Sequence, residues 1–380
     1  MPEQLTPELI ALRERTQAFV DDDLRPLQER ADGGAVDAAE LRRSVVARSR
    51  ELGFFGMTQP RDFGGTEAGA LALTVVRETL AAANLGVARS VFGPGPGVLA
   101  RAEGQLRERY MEPLLRGEVR ASFAFTEPSD GSPPTHARRE GELLIVDGRK
   151  AFVSGGGQAD FYEVMLNVDE DESGPGGTAM VIVDRDAPGL TRGDDFTSLD
   201  GSTHCVLSFE SMAVPQANIV GKVGEGIPRA LGNIGRERLQ IAAQASGTVM
   251  WTVAFTRKHI SQPHRSGTPL GDREQVRAIF GQMLIDAYAV RSILYRTARL
   301  ADAGEEIINE GAIAKVFASE AAGRIVDSAI QLTGAQALVE GHPLEALYRL
   351  VRTWRLAGGA SDLLRLNTAR GMLEFDAGRV

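Results

Sequence analysis

The sequence predicts an α+β protein with a helical N-terminal domain, a central antiparallel β domain and a C-terminal four-helix bundle. Apolar residues recur at steps of three and four up to about residue 118, and they alternate with polar residues over 119–225. Helical spacing returns from residue 226 onward. Helices followed by strands and then helices are typical of an α+β architecture. We therefore predict domains over 1–118, 119–225 and 226–380.

The N-terminal domain begins with a helix-start pattern. Thr6 precedes Pro7 and Glu8, which is the order of a capping side chain, a proline in the first turn and an acidic residue near the positive helix end. Further apolar periodicity predicts helices over 40–52, 70–83 and 105–115.

The central domain is predicted as a small antiparallel sheet. Alternating apolar residues around the turn Asp147-Gly148 predict a hairpin, and runs over 162–167 and 178–183 predict a second strand pair. Residues 206–209 predict a further strand. Cys205 begins this run, so we interpret it as a buried structural thiol.

The C-terminal domain is predicted as four long antiparallel helices. Apolar positions at helical spacing mark elements near 227–257, 272–302, 305–332 and 345–370, joined by short connections. Long helices with short connections are typical of a bundle.

Composition restricts the class of function. The chain has 380 residues, of which 43% are hydrophobic and 24% charged, as in an ordinary globular protein. A formal charge of −9 argues against a nucleic-acid partner. One cysteine, the lack of a signal peptide and the lack of a long apolar run predict a cytoplasmic protein with no membrane contact. The five histidines are scattered without metal-ligand spacing, so no metal is expected and we interpret them as structural or surface residues.

Glu237 lies in an unusual position on the helix predicted from residue 227. It falls on the same face as Ala230, Ile234 and Ile241, and no basic residue stands four positions away to pair with it. In one interpretation, Glu237 pairs with an arginine from another element. In the other, desolvation raises its pKa and makes it a general base. Helical spacing leaves both open.

Several sequence blocks resemble the acyl-CoA dehydrogenase family. Residues 126–132 read Thr-Glu-Pro-Ser-Asp-Gly-Ser, which is similar to the family's T-E-P-x-x-G-S loop. Residues 60–65, 147–154, 209–215 and 331–334 resemble its P-x-x-F-G-G loop, its D-G-x-K-x-F-V-S strand, its F-x-D-V-x-V-P turn and its Q-x-x-G helix end. The blocks stand in the family's order and cover nearly the whole chain.

The resemblance implies a flavoenzyme that binds FAD between domains and between subunits. It places Phe125 and Thr126 at the flavin ring, Phe152 against the ring, Ser154 at its reducible edge and Ser132 near the pyrophosphate. Arg265 would reach the FAD of a neighbouring subunit in place of the family's R-x-x-F-G arginine, which is absent here. The full implied cofactor set is Phe123, Phe125, Thr126, Gly131, Ser132, Phe152, Ser154, Arg265, Gln331 and Gly334.

The implied reaction is α,β-dehydrogenation of an acyl thioester, in which a carboxylate removes the α-proton. Most of the family carries this base in a Y-E-G-T-S-E segment, but Gly358 stands here where that glutamate would be. A minority carries it in an E-R-L context on the helix that opens the C-terminal domain, which Glu237 and Arg238 match. The resemblance therefore favours Glu237 as the base. It also implies that Ser132, Arg238 and Gly358 contact substrate, Gly358 through its backbone N–H.

The implied partners are an acyl-CoA or acyl-carrier-protein thioester, an electron-transfer flavoprotein and further copies of the chain in a homodimer or homotetramer. Two alternatives remain. The chain could run oxygen-dependent hydroxylation or another elimination, or it could be a non-catalytic subunit of a heteromeric dehydrogenase.

Overall fold

The computed structural model describes residues 4–34, 36–100 and 102–379, and it describes residues 231–234 and 236 through their backbone alone. The described residues form two compact units. The first comprises residues up to 58, 66–92 and from 235 onward, and the second comprises 59–65 and 93–234. The division falls inside one long helix, so both helical regions contribute to the first unit. Three separate domains remain a prediction.

The helices lie in the N-terminal and C-terminal parts of the chain. They are α1 (Pro7–Phe19), α2 (Arg25–Asp32), α3 (Ala38–Glu51), α4 (Ala70–Ala82), α5 (Gly104–Leu106), α6 (Glu112–Arg116), α7 (Gly226–Ile260), α8 (Glu274–Asp302), α9 (Ile308–Thr333), α10 (Pro343–Thr353) and α11 (Ser361–Phe375).

The predicted start of α1 is confirmed. The Thr6 hydroxyl accepts a hydrogen bond from the backbone N–H of Leu9 at 3.5 Å, and Pro7 occupies the first turn. This bond satisfies one of the N–H groups that a helix start leaves without an intrahelical acceptor.

The strands lie between residues 121 and 215. They are β1 (Ala121–Ala124), β2 (His136–Glu140), β3 (Leu143–Ser154), β4 (Phe161–Val168), β5 (Gly177–Asp184), β6 (Leu190–Arg192), β7 (Phe196–Thr197) and β8 (Thr203–Pro215). In the described ranges they form one sheet in the order β1-β4-β2-β3-β8-β6, with β5 beside β4 and β7 beside β8. Most pairs are antiparallel, including the predicted pair β4–β5, whereas β4 runs parallel to β1 and β2.

The predicted hairpin turn at Asp147-Gly148 is wrong. Both residues lie inside the continuous strand β3, and the hairpin joins β2 to β3 instead. Gly148 has φ +135°, and a Cβ there would approach the Thr135 Cα to 2.6 Å. The pairing of β3 with β8 shifts between Val146 and Gly148. The glycine thus permits a bulge and a close backbone approach rather than a chain reversal.

The predicted helix over 345–370 is also wrong, because the chain forms α10 and α11 with a break between them. Gly358 and Gly359 lie in this break with φ +64° and +105°. Two successive residues with positive φ cannot continue a right-handed helix. Apolar spacing alone did not reveal this interruption.

Each unit has its own apolar core. In the first unit, α7, α8, α9 and α10 pack around residues such as Ala245, Leu294 and Ile325. In the second, both faces of β4 are covered: Tyr162 and Val164 belong to one cluster and Phe161 to the other. Among the described residues, no helix is both long and apolar enough to cross a membrane.

Candidate active site

The second unit brings the residues predicted to bind the flavin ring to adjacent strand ends. Phe125 and Thr126 directly follow β1, while Phe152 and Ser154 lie at the end of β3. The carbonyl of Thr126 accepts a hydrogen bond from the N–H of Ala151 at 2.8 Å, which joins the two segments. Backbone pairing therefore assembles residues that lie about 30 positions apart in the sequence.

Phe152 is held in a strained conformation with its ring exposed. Its φ is +53° and the residue is 59% exposed. A bulky residue with positive φ costs on the order of 1–3 kcal/mol, and such strain is concentrated at functional sites. Nearby, Phe125 is 37% exposed and stacks on Phe123 at 5.6 Å between centroids. These exposed rings fit a planar aromatic ligand such as an isoalloxazine.

An ion pair with a buried lysine anchors the loop that follows β1. Lys150, whose side chain is 1% exposed, pairs with Glu127 and donates to the Phe125 carbonyl at 3.2 Å. Burial lowers the pKa of Lys150, an effect that Glu127 opposes. Glu127 also accepts hydrogen bonds from the N–H and hydroxyl of Thr135. The sequence did not predict this pair, although its two charged residues lie within the motifs 126–132 and 147–154.

The segment predicted for the pyrophosphate is already hydrogen-bonded internally. The N–H and hydroxyl of Ser132 both donate to Asp130, at 3.1 and 2.6 Å. Asp130 pairs in turn with Arg149 at 2.7 Å, while Gly131 takes φ +80°. A phosphate at Ser132 would have to displace the Asp130 carboxylate, so the ring region fits FAD better than this segment does.

The remaining predicted cofactor residues belong to the first unit. Arg265 and Gln331 are exposed, and Gly334 ends α9 with φ +84°. Their roles toward FAD of a second subunit stay predictions.

Glu237, on α7, keeps solvent exposure but lies in surroundings that disfavour its charge. Ala230 and Ile241 on the same helix are buried, whereas the side chain of Ile234 is outside the described residues. Glu237 therefore lies at the margin of the apolar stripe rather than inside it. Desolvation raises its pKa, and the charges of Arg238 and Lys315 partly oppose this. No described side chain forms an ion pair or hydrogen bond with it.

Two buried cations beside Glu237 are bound to backbone carbonyls instead. The Nε of Arg238 donates to the Gly358 carbonyl at 3.1 Å, and the Nζ of Lys315 donates to the Gly359 carbonyl at 2.7 Å. Arg238 is 7% exposed and Lys315 is fully buried. Burial lowers the pKa of Lys315 to about 8, with Arg238 acting in the same direction. These contacts position the break between α10 and α11.

Gly358 has a left-handed backbone and little room for a side chain. A Cβ at this position would lie 3.0 Å from Cδ1 of Ile241, and φ is +64°. The N–H groups of Gly358 and Gly359 donate to no described acceptor. Binding of a substrate oxygen by the N–H of Gly358 stays a prediction.

Models of the acyl-CoA dehydrogenase family match almost the whole chain. Residues 6–118 match the N-terminal domain, 122–212 the middle domain and 224–373 the C-terminal domain. The chain belongs to the acyl-CoA dehydrogenase family. The prediction of an FAD-dependent oxidoreductase with this fold is confirmed at the level of the family.

Relatives in the acyl-CoA dehydrogenase family match over similar lengths. The chain is 28% identical to the 3-(aryl)acrylate reductase of Clostridium sporogenes, covering 96% of this chain and 98% of that protein. It is 28% identical to the mitochondrial isobutyryl-CoA dehydrogenase of Dictyostelium discoideum, covering 94% and 87%. The crystal structure of a probable acyl-CoA dehydrogenase from Mycobacterium abscessus aligns with a TM-score of 0.82 and 27% identity, covering 97% and 99%.

Proposed function

We propose that this protein catalyses FAD-dependent α,β-dehydrogenation of an acyl thioester, carried by CoA or by a carrier protein, with Glu237 as the base. The observation that carries the proposal is the state of Glu237: its pKa is raised, and no described side chain pairs with it. A base needs a carboxylate that is free to take a proton, with a pKa nearer to the working pH than that of an ordinary glutamate.

The neighbouring cations support this role because they are bound elsewhere. Arg238 and Lys315 donate to the carbonyls of Gly358 and Gly359, so they stabilise the Glu237 charge at a distance without occupying its oxygens. We infer that Arg238 acts by positioning the turn, and we assign the substrate oxygen to the N–H of Gly358. A hydrogen bond there would make the α-proton more acidic.

In the second unit, Phe125, Phe152 and Ser154 would hold the flavin ring, because exposed aromatic faces and a hydroxyl suit its planar, polar-edged system. When bound, FAD accepts the hydride that leaves the β-carbon. Thr126, held by Ala151, would border the ring.

Substitution of Glu237 tests the assignment of the base. Purified Glu237→Gln should keep the visible flavin spectrum. The rate at which acyl-CoA bleaches this spectrum under anaerobic conditions should fall by a factor of about 10²–10⁴. Glu374→Gln, which alters an exposed glutamate paired with Arg370 on α11, is the matched control and should bleach normally. Bleaching of Glu237→Gln at the wild-type rate would show that another group takes the proton.

Product analysis with and without oxygen distinguishes the alternatives. Hydroxylation would yield an oxygenated product only in the presence of air, because O2 supplies the oxygen atom. A chain that is colourless alone but yellow with a co-expressed relative would be a non-catalytic subunit.

We further propose a homodimer or homotetramer that passes electrons to an electron-transfer flavoprotein. Leu284, Ile285 and Tyr288 form an exposed apolar patch on α8, with the latter two each 63% exposed. Such patches commonly mark interfaces. Light scattering of the purified protein would give the number of subunits.

A further inference from the structure

A hydrogen-bonded chain runs from an aspartate to the serine predicted at the flavin edge. Oγ of Ser154 lies 3.0 Å from Nδ1 of His204, and Nε2 of His204 lies 3.0 Å from Oγ of Ser202. Oγ of Ser202 donates to Oδ1 of Asp200 at 2.6 Å. Ser154 and His204 face each other in the pairing of β3 with β8. All four residues belong to the second unit.

The hydrogens available to these side chains determine which group donates in each hydrogen bond. A carboxylate can only accept, so the single hydroxyl hydrogen of Ser202 is used in the short bond to Asp200. The Ser202 oxygen must then accept from His204, which requires the hydrogen on Nε2. In neutral His204 the other nitrogen, Nδ1, is therefore bare. It accepts the hydroxyl hydrogen of Ser154.

The surroundings of His204 hold the ring in this position. Its centroid lies 6.0 Å from that of Phe152 on β3 and 5.7 Å from that of Phe196 on β7. Among the described contacts of the ring, the charged group is Asp200, which reaches it through Ser202; Ser154, Phe152 and Phe196 are neutral. The imidazole is half-buried and Ser154 is exposed.

We propose that Asp200, Ser202 and His204 set the hydrogen-bonding polarity of Ser154 toward the flavin. While His204 is neutral, Ser154 gives its hydrogen to Nδ1 and offers only an acceptor to a ligand. When His204 is protonated, Nδ1–H donates to Ser154, and the hydroxyl hydrogen becomes free to donate to the ligand. His204 is thus a positioning residue, acting through Ser154.

This polarity matters because the reducible edge of a flavin changes its own polarity. Its ring nitrogen accepts a hydrogen bond in the oxidised form and carries N–H in the reduced form. The protonation state of His204 therefore favours one redox form over the other, since hydrogen bonds to ring nitrogens tune a flavin. This step rests on the proposed placement of FAD at Ser154, whereas the direction of the hydrogen bonds from Ser154 to Asp200 does not.

Nitrogen NMR of protein labelled in its histidines tests the chain without reference to FAD. At a pH where His204 is neutral, its signal should be that of the Nε2–H tautomer. Ser202→Ala should shift it to a mixture of tautomers, while the signals of the other histidines, such as His136 and His264, stay unchanged. A wild-type Nδ1–H tautomer would overturn the proposal.

Reduction potentials of the flavin-loaded protein test the consequence. A plot of potential against pH should change slope at the pH where NMR shows His204 titrating. The change of slope should vanish in His204→Gln and diminish in Ser154→Ala, which keeps the imidazole but removes the hydroxyl. A slope change that persists in His204→Gln would overturn the proposed coupling. A confirmed tautomer in a protein that binds no flavin would instead contradict the proposed function.

Discussion

At the residue scale, the pKa of Glu237 reflects opposing effects. Desolvation disfavours the carboxylate, whereas Arg238 and Lys315 favour it. Helical spacing and the family resemblance both indicate Glu237. They do not indicate Lys315, because this residue approaches Glu237 from another helix, α9, and an isolated lysine in a helix is normally solvent-exposed.

The raised pKa predicts how activity depends on pH. Because the base must be deprotonated, kcat/KM should fall as the pH drops through a value above the ordinary 4.5 of glutamate. Lys315→Met removes a cation that lowers the pKa of Glu237, so this fall should move to higher pH. Lys258→Met, at an exposed position of α7, is the control and should leave it in place. An unchanged pH profile of Lys315→Met would contradict the coupling.

The backbone conformation of Gly358 affects the stability of the protein. Gly358→Ala should lower the free energy of unfolding by about 1 kcal/mol from its positive φ alone, and further because Cβ meets Ile241 at 3.0 Å. Gly341→Ala is matched, since φ is +85° and no atom lies within 4 Å of the added Cβ. Denaturant unfolding should show the larger loss for Gly358→Ala. Equal losses would mean that Ile241 moves aside freely.

At the element scale, helix packing in the first unit includes a buried charge network. Glu78 on α4 pairs with Arg291 on α8 through both oxygens, at 3.0 and 3.1 Å. Tyr295 and Ser246 donate to the same carboxylate at 2.7 and 2.6 Å. Three helices distant in sequence are joined at one side chain that the sequence did not single out.

Removing this carboxylate should destabilise the first unit strongly. Glu78→Ala removes the buried carboxylate that accepts hydrogen bonds from Arg291, Tyr295 and Ser246, and breaking such a buried charged contact typically costs about 3–5 kcal/mol. Glu374→Ala, at an exposed pair, should cost less than about 1 kcal/mol. Thermal and denaturant unfolding of the two variants provide the comparison. Similar small losses would show that the network contributes little.

Local sequence patterns predicted some elements of this protein correctly and others wrongly. The capped start of α1 and the pair β4–β5 depend on neighbouring residues, and both were predictable. The Asp147-Gly148 turn and the helix over 345–370 were wrong because a glycine's φ depends on what packs against it. Gly148 allows the backbone to approach Thr135 closely, whereas Gly358 adopts the positive φ that interrupts the helix.

At the scale of the whole molecule, both faces of strand β4 in the second unit are buried. Glu163 shares one face of β4 with Phe161 and Met165, and it is 5% exposed. Gly97 lies against it, since a Cβ there would be 3.4 Å from Oε1 of Glu163. Burial raises the pKa of Glu163 to about 7. This buried carboxyl group therefore links the stability of the protein to pH.

The direction of this linkage follows from the raised pKa. The folded state holds the proton up to about pH 7, so the stability that Glu163 contributes is complete below 4.5 and is lost as the pH rises through 7. Relative to Glu163→Gln, the wild type should lose about 3 kcal/mol of unfolding free energy between pH 5 and 9. The corresponding difference between the wild type and Glu142→Gln, at an exposed position, should show no such trend. Equal pH dependence of the unfolding free energies of the wild type and Glu163→Gln would contradict the raised pKa of Glu163.

The sequence by itself determined the succession of helices, strands and helices, the family and the candidacy of Glu237, because these depend on local periodicity and on contiguous motifs. Tertiary structure decided which charges meet. Lys150 with Glu127, Lys315 with the turn at Gly359, and His204 with Ser154 are contacts across strands or helices. Their energies depend on burial and distance, which no one-dimensional pattern contains.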